Sequence, residues 1–469
     1  MRAHLLTLSL LTLTAASACG KQQPPPTPPT DTTATADTGD AKDAGGCTDY
    51  RDYDTAALPE LPSTPYTATL EQVWKTVLTK HYDTTLSCLD WPAIRVEYGN
   101  KLPQAKDEAA AYAIMNEMLG KLQQSHLAVV PPGRATHGEP RGDVKTGPAT
   151  VPVKIRMVEG VPSIVNAAVD GKKSGLPGGA QIVAVDDQPV APMLEGVAQR
   201  WHRQVEADFR GAQMVQTWLS CPEGAKKKVT FIPVGTDKEK TKTVGCIVLE
   251  RERVSLGNLQ GVPVEVEHRM IKKLPKGSKT KIGYLRFNVW MLPLVPKIEE
   301  AVADLRKQGA ESIILDLRGN PGGVGAMVVP VGRLFIADEA DLGVMHMREG
   351  EQVFKVNPSD DAFAGRVAML VDEGTGSTSE IFGQAMQDIG RIEVFGAGPS
   401  QGAALPSLIE KLDGGAILQY VVADYKSPKD IAVEGRGVQP DTIVPETREA
   451  YAKGGDPVLD AAIAALAAG

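Results

Sequence analysis

The sequence is short of the patterns that metal, nucleotide and nucleic-acid chemistry need. No two cysteines have Cys-x-x-Cys spacing and no histidines form a His-Glu-x-x-His pair, so zinc has no ligand set to build on. The one glycine-rich loop that follows an apolar run, "DLRGNPGGVG", lacks both a Lys-Ser/Thr end and a Gly-x-Gly-x-x-Gly pattern, which argues against nucleotide binding. No basic stripe is present. The densest lysine cluster, "GAKKKVTF", is short and reads as a solvated hairpin face, and the net charge is −8. No cofactor, metal or nucleic-acid partner is therefore expected. What is present is 469 residues with 42 % hydrophobic content, enough for two or three domains with sizeable cores.

The first segment reads as a targeting signal. "MRAH" is a short positive region, and "LLTLSLLTLTAA" is apolar but too short to span a bilayer as a stable helix. Its end, "ASAC", resembles a bacterial lipobox with Cys19 as the lipidated residue; an ordinary secretory signal is the alternative. Gly20 after the cysteine, by resemblance to bacterial sorting rules, favours the outer membrane. The expected location is the cell envelope, lipid-anchored on the periplasmic side of the outer membrane or at the cell surface. Without Cys19, four cysteines remain, Cys47, Cys88, Cys221 and Cys246. An even count in an exported chain permits disulfides in three connectivities, of which Cys221–Cys246 with Cys47–Cys88 is preferred because the former pair flanks a hairpin-like segment.

The mature chain divides by composition. After the signal (1–19), residues 20–58 are rich in Pro, Thr and Asp, with almost nothing to bury, and read as a disordered tether. Residues 59–140 read as helical: "LEQVWKTVLTKHY" and "DEAAAYAIMNEMLGKLQQSH" carry apolar residues at helical spacing. The second helix should end near Leu122, leaving Ser125 and His126 in a loop. Residues 145–255 hold short β-like runs such as "VPVKIRMV" and "AQIVAVDD". There, "SGLPGGAQIVAVDDQPV" resembles the PDZ signature through Gly175, Leu176, Gly178, Ile182, Val185 and Val190, which implies capture of an extended peptide end. Residues 265–469 alternate strand and helix, predicting an α/β fold with a largely parallel sheet. Functional groups then gather at strand C-terminal ends, where "DLRGNPGG" and "DEGTGSTSE" fall.

In "VDEGTGSTSEIFGQAMQD" two serines precede a helix, whose N-terminus offers free N–H groups beside Ser377. Ser377 could be a nucleophile with a ready oxyanion site. Equally, Ser377 or Ser379 could be a plain helix cap. A serine nucleophile needs a base, and residue spacing does not choose among His81, His126, His137, His202, His268 and His346.

Four ordered blocks, "IGYLRFNVW", "SIILDLRGNPGG", "VDEGTGSTSEIFGQAMQD" and "IAVEGRGVQPD", resemble the tail-specific (C-terminal processing) serine peptidase family. With the helical and PDZ-like segments and the ending "DPVLDAAIAAL", the likeness covers residues 60–465. It implies a Clp protease/crotonase-like α/β core and aligns the family's nucleophile with Ser377. Many members take their base from a lysine about 25 residues later; here that run is "GAGPSQGAAL", with Gln401 or Gly402 at the place. The tricorn-like branch uses a Ser-His pair instead, matched by Ser125 and His126, and a glutamate matched by Glu434. The resemblance thus implies that Ser377 attacks, His126 takes the proton and Ser125 with Glu434 orient the imidazole, while the backbone of Gly322, Gly323 and Thr378 forms the oxyanion hole. The expected function is an extracytoplasmic serine endopeptidase acting on polypeptides through their chain ends. The alternatives are a non-catalytic binding protein on the same scaffold and an envelope scaffold that docks a partner's C-terminus. A His126 base should titrate in the ordinary histidine range, so activity flat from pH 5 to 8 would count against it.

Overall fold

The computed structural model describes residues 46–132, 149–201, 203–257 and 259–468. The signal-like segment with Cys19, the tether up to residue 45, His137 and His202 lie outside them.

Three helices, Thr67–Lys80, Trp91–Gly99 and Glu108–Gly120, open the folded body. Two begin with aspartate caps: Asp90 accepts from the Ala93 N–H and Asp107 from the Ala110 N–H. Trp74 and Trp91, both fully buried, exchange hydrogen bonds, each indole N–H donating to the other's carbonyl (2.9 and 3.1 Å). That crossing satisfies two polar groups inside an apolar core of Leu70, Val73, Val77, Met115 and Leu119. The third helix stops at Gly120, two residues before the expected end, and the chain turns through Gln123 and His126, both with positive φ.

The next strand, Ala128–Val130, is short but decisive for position. It pairs antiparallel with Ile417–Val421, placing Val129 opposite Leu418. The Asn116 side chain grips it from the helix side, donating to the Val129 carbonyl and accepting from its N–H. Leu418 and Tyr420 complete the helical core, so residues almost 300 positions apart share one apolar cluster.

The β-like runs form a sheet in the order Lys240–Gly245, Lys226–Ile232, Gln181–Val185, Val161–Asn166, Lys154–Val158, with Gln188–Pro189 pairing beside Gln181–Val185. Helix Gln204–Trp218 packs on it through Ala212 and Val215. Disulfides join Cys47 to Cys88 and Cys221 to Cys246, the preferred pairing.

A second six-stranded sheet runs Val266–Met270, Ile282–Phe287, Ser312–Asp316, Arg366–Leu370, Glu393–Gly396, Thr442–Ile443. Its first pair is antiparallel and the rest are parallel. Ser312–Asp316 is buried at every position because helices cover both faces. Alternation divides its side chains: Ile313 and Leu315 face helices Val295–Lys307 and Thr378–Asp388, while Ile314 faces Pro457–Ala467. Asp316 pairs with Leu370, so the turns after these two central strands emerge side by side.

The Cys47–Cys88 bond closes a 41-residue separation around the first helix. Cys88→Ser should lower unfolding free energy in urea by about 3 kcal/mol, by loss of the constraint on the unfolded chain; an unchanged midpoint under non-reducing conditions would contradict this.

Candidate active site

The two adjacent turns are tied together before any functional side chain is considered. Asp372 Oδ1 accepts from the N–H groups of Gly319 (2.8 Å) and Gly374 (2.9 Å), and the Gly376 N–H donates to the Asn320 carbonyl (3.0 Å). The chain then passes through Ser377 with φ 53° and ψ −121°, a region a side chain rarely adopts, and enters helix Thr378–Asp388. Ser377 thus sits at a strained strand-to-helix corner. Its Oγ lies 3.1 Å from His126 Nε2.

From there the contacts run outward without a break. His126 Nδ1 is 2.7 Å from Ser125 Oγ, which donates to Glu434 Oε2 (2.9 Å); the Ser125 N–H donates to Glu434 Oε1 (2.9 Å). Because the Ser125 proton goes to the carboxylate, its oxygen accepts from Nδ1–H. Nε2 is then the bare nitrogen, facing the Ser377 hydroxyl proton. Ser377, His126, Ser125 and Glu434, spread over more than 300 positions, thus meet in one series. Burial pushes His126 down to about 4. The nearest carboxylate is one hydroxyl away, so no direct ion pair offsets that cost.

The other histidines among the described residues are engaged elsewhere. His81 is fully buried against Gln124 (2.7 Å), the residue before Ser125, and its pKa is lowered by burial. His268 contacts Asp304 and His346 contacts Glu351. The second serine of the motif is also spoken for: buried Ser379 donates to the Asn320 carbonyl and accepts the Trp290 indole N–H. Gln401, one of the two residues matched to the lysine's place, lies against Gly376, where an added Cβ would come within 2.4 Å of its Oε1. Among the described residues, no group of three or more His, Cys, Asp or Glu could hold a metal ion.

The three expected oxyanion donors differ from one another. Gly322 and Gly323, at φ 94° and 144°, form the wall behind Ser377; a Cβ on Gly322 would sit 2.5 Å from Ser377 Cβ, and one on Gly323 would sit 2.2 Å from the Trp290 carbonyl oxygen. The Gly322 N–H is already committed to Asn320 Oδ1 (3.0 Å). Among the described residues, no acceptor is paired with the N–H of Gly323 or Thr378. Gly322 therefore contributes room, and the other two N–H groups remain available.

Glu380 is the residue that sequence reasoning passed over. It is fully buried, and its oxygens accept from the Ser377 N–H (3.0 Å), the Ala403 N–H (2.9 Å), Ser400 Oγ (2.6 Å) and the Gly402 N–H (2.5 Å). It clamps the serine corner to loop 400–403, and the Ser377 N–H also donates to the Ala403 carbonyl (2.8 Å). The Ser-x-x-Glu spacing at 377–380 was a visible signal, since it is that of a capping box. Burial raises Glu380 to about 7 against these donors.

Beside the serine turn lies a cavity of about 550 Å³. Strand Lys154–Val158 and helix Gln204–Trp218 supply Ile155, Phe209 and Ala212, and the turns of the mostly parallel sheet supply Arg318 and Glu373. Arg156 crosses to the turns, bonding Glu373 and Glu446.

The chain resembles known proteases over most of its length. Residues 281–444 match the model of Peptidase family S41, and residues 62–120 match the tricorn protease C1 domain. The chain carries a family S41 peptidase domain. Across 399 residues the chain is 27 % identical to a carboxyl-terminal-processing protease of Picosynechococcus, covering 82 % of this chain and 84 % of that protein. A probable CtpA-like serine protease of Staphylococcus haemolyticus is 30 % identical over 176 residues, 37 % of this chain and 35 % of that one. Among solved structures, a photosystem II D1 C-terminal processing protease superposes with a TM-score of 0.53 (22 % identity, 81 % of this chain and 93 % of that one). Mature CPAF bound to lactacystin gives 0.59 (12 % identity, 85 % and 97 %). Ser377, Gly322, Gly323 and Glu434 fall inside the S41 match, whereas Ser125 and His126 follow the tricorn C1 match.

A carboxyl group raised by burial binds its proton more tightly folded than unfolded. Its contribution is full below about pH 4.5 and is lost as pH rises through about 7. Between pH 4.5 and 8, wild type should therefore lose about 3 kcal/mol of stability that Glu380→Gln does not lose. Urea unfolding of both across that range checks it; parallel pH dependences would remove Glu380 as the cause.

Proposed function

We propose that this protein is an extracytoplasmic serine endopeptidase of the C-terminal processing type, working through an acyl-enzyme on Ser377 with His126 as base. The observation that carries the reading is the unbroken series Ser377 Oγ, His126 Nε2, His126 Nδ1, Ser125 Oγ, Glu434 Oε2. In this reading Ser377 Oγ attacks the scissile carbonyl carbon as its proton passes to Nε2. The new imidazolium donates from Nδ1 to Ser125, whose own proton is held by Glu434, so the positive charge is stabilised through one intervening hydroxyl. The oxyanion is received by the N–H groups of Gly323 and Thr378, the latter at the positive end of its helix. His126 returns the proton to the departing amine, then activates the water that releases the acyl group.

A polypeptide end would enter as an added strand along Lys154–Val158, which stands at the edge of its sheet, facing helix Gln204–Trp218 in the PDZ-like manner. That course leads past the 372–374 turn towards Ser377. An envelope location is supported by the signal-like first segment and by two disulfides. No helix of the described residues is long and apolar enough to cross a membrane. In this reading the protein is attached through a lipidated Cys19. Cys19→Ala should move the protein from the detergent phase to the aqueous phase in a cloud-point partition of expressing cells; a wild type already in the aqueous phase would end the lipid-anchor proposal.

Ser377→Ala and His126→Ala should each lower kcat/KM on an unfolded protein substrate by at least about 10³-fold, with folding retained. The pH profile separates this histidine from an ordinary one. Its base form is populated above its pKa, so with His126 pushed down to about 4 the acid limb should fall near pH 4 and activity should be flat from pH 5 to 8. The flat window that would count against a solvated histidine is thus the expected behaviour of a buried one. Activity surviving in both variants, or peptide-end binding without turnover, would speak against the mechanism, the latter in favour of a binding scaffold; a limb near 6.5 would keep a histidine base and place it in a more solvated site.

A further inference from the structure

Helix Gln204–Trp218 walls the cavity at Phe209, Ala212 and Gln216, and the residue that precedes it reaches in the opposite direction. Arg203 Nη1 donates to the Gly435 carbonyl (2.9 Å) and Nη2 to the Gly402 carbonyl (3.4 Å). These two carbonyls belong to loops that already touch, since the Gly435 N–H donates to the same Gly402 oxygen (2.9 Å). Each loop carries part of the reacting assembly. Gly435 follows Glu434, whose Oε2 also accepts from the Ala404 N–H (2.8 Å), and the neighbouring Ala403 carbonyl accepts from the Ser377 N–H. The fit is close: Gly402 has φ 70°, and a Cβ there would come within 2.5 Å of Arg203 Nη1. The guanidinium has a second partner on its own helix, Glu206 Oε2 at 3.6 Å, so its charge is balanced without an acid from the loops.

We propose that Arg203 is a positioning residue for the reaction, bridging the Gly402 and Gly435 carbonyls so that the helix lining the cavity becomes part of the frame that holds Glu434 and Ser377. This rests on the serine-peptidase reading. A guanidinium suits the task because its planar fork can serve two carbonyls at once from a fixed direction, which a backbone N–H cannot. Loss of the bridge frees the Gly435 carbonyl, leaves the Gly402 carbonyl with the Gly435 N–H alone, and slackens Glu434 on Ser125, and therefore the imidazole that faces Ser377.

The test reads Ser377 directly, through its second-order rate of labelling by a fluorophosphonate, with the labelled residue identified by mass spectrometry. Arg203→Ala should slow labelling about 10- to 100-fold while the thermal midpoint changes little, and Arg203→Lys should recover part of the rate. In a Glu434→Gln background, Arg203→Ala should cost less than about threefold more, because both changes act on the same element. If Arg203→Ala does not fold, Arg203→Met keeps the apolar stem and reads the same loss. A labelled wild type with an equally fast Arg203→Ala, or fully additive effects with Glu434→Gln, would overturn this inference alone. A wild type unlabelled at Ser377 would overturn the nucleophile assignment and this inference with it.

Discussion

The structure turns on one contact, His126 Nε2 against Ser377 Oγ, made across 251 positions of chain. Neither residue's own element could secure it. His126 sits in a turn with positive φ after a helix that has ended, and such a turn alone would leave the ring direction undefined. What holds it is the three-residue strand just beyond, zipped to Ile417–Val421 and clasped by Asn116. The apolar cluster under that strand joins the helical region to the segment that follows the serine helix, so the energy that fixes the contact is largely burial of Leu and Tyr side chains rather than the hydrogen bond itself.

Two glutamates then divide the work around loop 400–404. Glu434 faces the imidazole side, taking Ser125 and the Ala404 N–H; Glu380 faces the serine side, taking Ser377, Ser400, Gly402 and Ala403. A short backbone loop between two acceptors has little freedom to move, which is how a strained corner such as Ser377 can persist. The cost is a buried carboxylate with a raised pKa. Where a lysine stands in many relatives of the resemblance, Gln401 or Gly402 occupies the loop, and in the proposed mechanism the proton acceptor comes instead from near the other end of the chain.

Much of this was legible in the residues. Strand runs such as "ESIILDLRG" and the helix after "GSTSE" were visible as apolar periodicity and small-residue turns, because those are local properties. An even cysteine count left three pairings open, and the structure holds the one that a hairpin-like spacing favoured. The apolar pattern predicts a third helix two residues longer than the one observed, since Leu122 continues the apolar face although the helix has already ended. Glu380 was missed because a glutamate three residues after a serine at a helix start looks like an ordinary cap. That its carboxylate is completely enclosed follows from loop 400–403 closing over it.

By itself the sequence determined the α/β alternation, the glycine wall opposite the serine corner, and the family likeness that singled out Ser377, His126, Ser125 and Glu434. These rest on short-range patterns that a chain carries wherever it folds. Only the tertiary structure decided which serine hydroxyl is free, which N–H groups are unspent, how deeply His126 is buried and that Arg203 reaches the loops. Each of those depends on what long-range packing brings alongside a residue: Ser379 is taken by Trp290 and Asn320, Gly322 by Asn320, and Ser377 is left facing an imidazole.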